Sequence, residues 1–227
     1  MKFATELLAS PIELSEDYPN VFVVEKTEYL QFFVRQMMAM ETGDQDSDFY
    51  RGIQQVDFEK EIDLLLDPFT ISVNSRRILN GLTKYLVEMA NGDYYFSRTS
   101  ALLRDIKSYL NELSRESVFS IDYDDQTLFL GLVKAFNLKI EDDAEELIVN
   151  ILNYLQAAQT FCRKSVFVFL NLRQLLTEDQ LLSLYKFSAY RKICLFLLES
   201  SDTKENLHSF ENLVILDKDL CEIRSPK

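Results

Sequence analysis

Ser165–Leu198 reads SVFVFLNLRQLLTEDQLLSLYKFSAYRKICLFLL. Ser165–Leu170 is a continuous run of β-branched and aromatic residues, the pattern of a strand buried on both faces. Thr177-Glu178-Asp179-Gln180 is a capping box, with a threonine at the N-cap and a glutamine three residues on. It opens a helix that reaches about Tyr190. Ile193–Leu198 is again continuous and apolar and reads as a second buried strand. Two buried strands joined by a helix make a parallel, right-handed crossover, and this sets the fold class as α/β.

The remaining chain arranges itself around that unit. Val21–Val24 is another buried strand, preceded by turn signals at Pro11, Tyr18-Pro19 and Asn20. Thr27 is a plausible N-cap for a helix to Met40, with Leu30, Phe33, Val34, Met37 and Met38 on one face. Gly43–Asp48 breaks it. Phe49–Phe58 and Ile62–Leu66 read as short strands, and Leu213–Leu216 as a last one. Four helices are expected in the middle. The first is capped by Asn74 and runs to about Ala90, closed by Asn91-Gly92. The second runs from Ser97 or Thr99 to Leu113, the third from Gln126 to Phe136, and the fourth from Asp143 to Phe161. Short connections predict antiparallel packing. The expected organisation is a discontinuous α/β head, residues 1–68 plus 163–227, with a helical insertion at 69–162.

Composition narrows the function. Lys and Arg total 24 against 37 Asp and Glu, a net charge of −13, and the isoelectric point is about 4.6. A generically basic nucleic-acid binder is excluded, so any such site must be a local concentration of cations on an acidic body. Cys162, Cys194 and Cys221 are widely spaced and odd in number, which fits neither a zinc site nor a disulfide framework. The apolar runs are too short to span a bilayer and no leader is evident. A cytoplasmic protein is expected.

An α/β head raises the question of nucleotide chemistry. The chain contains no GxxxxGK[ST] and no GxGxxG, and only five glycines in all. Val166–Leu170 has the look of the hydrophobic strand that carries an acidic magnesium ligand in P-loop proteins, but Asn171 follows it. His208 is the only histidine, reads as a solvated loop residue, and would have to supply all histidine acid–base chemistry alone. No catalytic residue is assigned.

Two acidic stretches remain. Asp122, Asp124 and Asp125 precede the third helix; Glu141, Asp142, Asp143, Glu145 and Glu146 lie at the start of the fourth. Oxygen-only clusters suit calcium, although the EF-hand spacing is absent. A solvated acidic loop beside a favourable helix N-terminus would show the same residues. The basic groups, among them Arg76-Arg77, Lys134 with Lys139, and Arg163-Lys164, are scattered and read singly as solvated charges.

The order of segments carries a resemblance. SPIEL (Ser10–Leu14) before VFVVE (Val21–Glu25), DPFTISVNSRRIL (Asp67–Leu79), SIDYDDQTLFLGLVKAFNLKIE (Ser120–Glu141), Ser165–Phe187 and ICLFLLES (Ile193–Ser200) together resemble the type II-A CRISPR adaptation protein, the Csn-two family. The resemblance covers essentially the whole chain. It implies a degenerate P-loop-like α/β head with a mostly helical inserted leg. It also implies a homotetrameric ring around double-stranded DNA, a preference for linear ends, and calcium in the leg. No catalytic activity is expected, and the implied partners are the CRISPR integrase complex and the effector nuclease during spacer acquisition. On that basis Asp122, Asp124, Asp125, Glu141 and Asp142 are the expected calcium ligands. Lys26, Arg51, Arg76, Arg77, Lys134 and Lys139 are the expected DNA contacts. Phosphate contacts alone predict no sequence preference and a steep salt dependence. The rivals are a protein-only adaptor without DNA retention, and a magnesium-dependent nuclease or NTPase built on the acidic clusters.

Overall fold

The computed structural model describes residues 1–119, 121, 128–142 and 144–225. The chain divides into two compact units, residues 1–72 with 142–227, and residues 73–141. In chain order, the first unit opens with β1 (Lys2–Phe3), β2 (Ile12–Glu13), β3 (Asn20–Val24), α1 (Thr27–Thr42), β4 (Phe49–Arg51), β5 (Gln54–Gln55), the single turn α2 (Phe58–Glu61) and β6 (Ile62–Leu65). The second unit holds α3 (Arg76–Asn91), α4 (Asp93–Glu116) and α5 (Leu128–Ala135). The chain then returns through α6 (Leu147–Cys162), β7 (Val166–Leu170), α7 (Leu172–Leu175), α8 (Glu178–Arg191), β8 (Cys194–Glu199), a 3-10 turn (Glu205–Phe210), β9 (Asn212–Leu216) and β10 (Glu222–Arg224).

The main sheet has six strands in the order β10-β9-β3-β8-β7-β6. All pairs are parallel except β10 with β9. The continuous apolar runs are thereby explained. Every residue of β3, β6 and β8 is buried, because layers cover the sheet on both faces. On one face, Phe22, Val24, Ile62, Val166, Val168, Phe196 and Leu198 join Phe33 and Met37 of α1 and Phe3 and Phe49 of the small β2-β1-β4-β5 sheet. Phenylalanine rings knit this core: Phe3 lies 5.0 Å from Phe49 and 5.3 Å from Phe196, and Phe22 lies 5.1 Å from Phe33. The fold is mixed α/β, as the crossover predicts, and β7, α8 and β8 supply that crossover. The capping box is present: Thr177 Oγ1 accepts from Gln180 N, and Gln180 Oε1 accepts from Thr177 N.

Several boundaries differ from the sequence reading. The fourth expected helix, α6, begins at Leu147 and belongs to the first unit. Its Ile151, Leu155 and Ala158 are fully buried, and Tyr154 Oη donates to Asp63 of β6 at 2.9 Å. Its amphipathic stripe is therefore a sheet-facing stripe, and periodicity cannot tell which partner a stripe will meet. The cap of α1 is Lys26, one residue before Thr27, and no side chain caps it. Helix α4 starts at Asp93, directly after Gly92, so one residue turns the chain between α3 and α4. Helix α5 spans Leu128–Ala135, and the expected start at Gln126 lies outside the described residues. Phe58 lies in the turn α2, not in a strand, because Asp57 caps it by accepting from Lys60 N at 3.1 Å.

Candidate nucleic-acid interface

Within the second unit, Ser75 caps α3 by accepting from Ile78 N. Asn74, expected as that cap, does something else. Its Nδ2 donates to Ile140 O at 3.0 Å and its Oδ1 accepts from Ile140 N at 2.9 Å. This two-way clamp holds the segment after α5 against the start of α3. Lys139 lies one residue before Ile140 in the sequence, and Arg76 and Arg77 follow Asn74 in the first turn of α3. All three are exposed, as is Lys134 in the last turn of α5. The first turn of α3 contains no acidic residue. Two arginines there stand at the positive end of the helix dipole, where they raise the local potential and are unfavourable for the helix itself. Such an arrangement suits an anionic partner such as a phosphate backbone.

The other two expected DNA contacts lie in the first unit. Lys26 is half-buried and its Nζ sits 5.3 Å from the centre of the Tyr29 ring. Arg51 donates to Glu61 at 2.8 Å, and this hydrogen bond raises the guanidinium pKa further. Its charge is already matched by a carboxylate, which makes Arg51 poorly suited to hold a phosphate.

Of the expected calcium ligands, Asp122, Asp124 and Asp125 lie outside the described residues. Glu141 and Asp142 are both exposed, and their oxygens are of the type calcium takes. Among the described residues no group of three or more His, Cys, Asp or Glu side chains could hold a metal. The described part of the stretch supplies hard oxygen donors, but too few for a calcium shell.

The carboxyl ends of β3, β7 and β8 are where an open α/β sheet places ligands. Here β3 ends at Val24 and α1 begins at Thr27, so Glu25 and Lys26 alone make the turn. That connection is too short to wrap backbone N–H groups around a phosphate. Asn171, after β7, takes the left-handed conformation with φ of 53°. Its Oδ1 accepts from Ser200 N at 2.8 Å, tying the loops after β7 and β8 together. Beside it lies a buried ionic network that the sequence did not reveal. Arg173 is fully buried; it donates to Asp202 at 3.2 Å and Glu211 at 3.1 Å, and Tyr185 Oη donates to Glu211 at 2.7 Å. Burial pushes Glu211 and Tyr185 upward. Glu199 accepts from Arg173 N at 3.0 Å, yet burial still pushes its carboxyl up to about 7. His208, expected as a solvated loop residue, instead sits in the 3-10 turn with Nε2 2.6 Å from Asp202 Oδ2. Asp202 and Glu211 are thus turned onto one arginine, and the histidine bonds to Asp202.

Among the described residues no helix is long and apolar enough to cross a membrane. A family model described as CRISPR-associated protein (Cas_Csn2) matches residues 43–220. The match covers well over half of the chain and includes the whole second unit and the β7–α8–β8 crossover; the chain belongs to that family.

Proposed function

We propose, with membership of that CRISPR-associated family as the premise, that the protein is a non-catalytic, calcium-dependent clamp on double-stranded DNA that acts in spacer acquisition. The observation that carries the reading is in the second unit, where the Asn74–Ile140 clamp ties the segment that follows Lys139 to the start of α3, whose first turn carries the exposed Arg76 and Arg77 and no acidic residue. In a homotetrameric ring, four such turns facing one hole multiply a modest local charge. An acidic chain can then hold DNA, and the grip falls steeply with salt as counterions are released. Phosphate contacts carry no base information, so the clamp is indifferent to sequence and a closed ring prefers to thread from a free end. Calcium, held by acidic residues of the 122–125 and 141–142 stretches, keeps the ring's geometry. The integrase complex and the effector nuclease are the partners that such a clamp would serve.

The test is a gel-shift comparison of linear duplex and closed circular DNA, each with calcium and with a chelator. Retention of linear DNA alone, lost on chelation, is the expected result. Equal retention of both forms, or of neither, overturns the clamp. In the second case a protein-only adaptor of the adaptation complex takes its place.

A further inference from the structure

Residues 200–211 join the carboxyl end of β8 to the amino end of β9. β3 lies between those two strands and runs parallel to both, so the connection crosses β3 as a strap. Leu207 is the one apolar side chain that the strap buries. Arg173 of α7 grips it at three points. Its Nη1 donates to Asp202 at 3.2 Å, and its Nη2 donates to the carbonyl of Lys204 at 3.2 Å and to Glu211 at 3.1 Å.

The charges in this grip do not balance. Arg173, Glu199 and Glu211 are fully buried, and the Asp202 side chain is only 14 % exposed. One guanidinium thus faces three carboxylates. Tyr185 of α8, bonded to Glu211, supplies a hydrogen bond and no charge. His208, bonded to Asp202, adds a positive charge only when protonated. Glu199 has the weakest share of Arg173. Its Oε1 accepts from the backbone N–H at 3.0 Å, while its Oε2 and Arg173 Nε have no hydrogen-bond partner among the described residues. A carboxyl buried there beside two others is favoured in its neutral form.

We infer that the strap over β3 is a proton-operated latch, closed while Glu199 holds a proton and released at its β8 end when that proton leaves. Glu199 is the last residue of β8, directly before the strap. Lifting the strap lets water reach the carboxylate, so ionisation favours the open form. The sign follows from the closed state: burial holds the Glu199 carboxyl at about 7 against an ordinary 4.5. The closed strap therefore binds the extra proton, and its stability is lost as pH rises through about 7.

The test is hydrogen exchange by mass spectrometry on the full chain at about pH 6 and about pH 8.5, corrected for the intrinsic pH dependence of exchange. Amides of residues 202–210 should lose about tenfold in protection between the two, as the Glu199 proton leaves. β3 and β8 should remain better protected than the strap at both. Glu199→Gln keeps the shape and cannot ionise, so it should abolish the drop; His208→Asn should not. Four results would each overturn the latch: strap protection that ignores pH, a drop that survives Glu199→Gln, a drop abolished by His208→Asn, or strap amides as protected as the sheet. The wild-type comparison needs no variant, so it decides the matter even if a substituted chain fails to fold.

Discussion

The two units solve the problem of apolar surface in opposite ways. In the first, the parallel strands are buried from end to end and both sheet faces are covered by the chain's own helices and small sheet. In the second, α3 buries only Ile78 and Ala90 and α4 buries nothing, while Tyr94 stands 87 % exposed and Phe96 57 %. A layered α/β unit can close its core within one chain. A helical hairpin with a short third helix has too little neighbouring surface to do so. Among the described residues, the first unit therefore holds the packed core and the second carries most of its apolar side chains at the surface.

The largest expected effect lies in the packed core of the first unit. Phe196→Ala removes a ring that packs against Phe3, Phe22 and Phe49 and should cost about 3–5 kcal/mol in denaturant unfolding. A cost below about 1 kcal/mol would break the contrast by showing that this core is loosely packed.

The buried network gives the next effect, with a definite sign. The folded carboxyl of Glu199 sits at about 7, against an ordinary glutamate value of 4.5 in the unfolded chain. The folded state therefore binds more protons between those values, and stability falls as pH rises from about 4.5 to about 7. Glu199→Gln should remove that loss. It should add about 2–3 kcal/mol at pH 8 and almost nothing at pH 4. Unfolding curves at the two pH values check this, and an equal change at both would show that the carboxyl's charge is not what matters.

Asn74→Ala removes both halves of the clamp in the second unit and should cost about 1–3 kcal/mol locally. Hydrogen exchange should speed up at Ile140 and at the start of α3 while the main sheet stays protected. Loss of protection in the sheet as well would show that the clamp's effect is not confined to the second unit.

The smallest effect separates the two sets of basic residues. Removing Arg76 and Arg77 together should weaken DNA retention about tenfold and reduce its log–log salt slope by roughly two per copy. Arg51→Ala, already matched by Glu61, should change neither by a comparable amount. Equal losses from both sites would move the interface toward the first unit.

What the sequence showed and what it hid follow one division. Ser165–Leu170, Thr177–Gln180 and Ile193–Leu198 were legible because buried strands and helix caps are written in local residue order. Asn74 was readable as a polar residue at a helix start, but its partner stands 66 residues away, so its role as a clamp was not. Helix α6 showed its apolar stripe plainly, but its grouping with the first unit was not legible, since a stripe does not name the surface it meets. Of the candidate site, the residue types were legible and the grouping was not. The segments that carry Arg76, Arg77 and Lys139 are joined by one pair of hydrogen bonds between Asn74 and Ile140, and Arg51 is paired with Glu61 across a turn.

By itself, then, the amino-acid order determined the α/β class, the crossover, the acidic balance and the helical middle, all of which follow from local period and composition. Only the tertiary structure decided that Arg173 would be buried among Asp202, Glu199 and Glu211, that His208 would meet Asp202, and that α4 would bury none of its residues. Those outcomes depend on which distant segments share a surface, and burial and charge pairing are properties of that shared surface, not of neighbours along the chain.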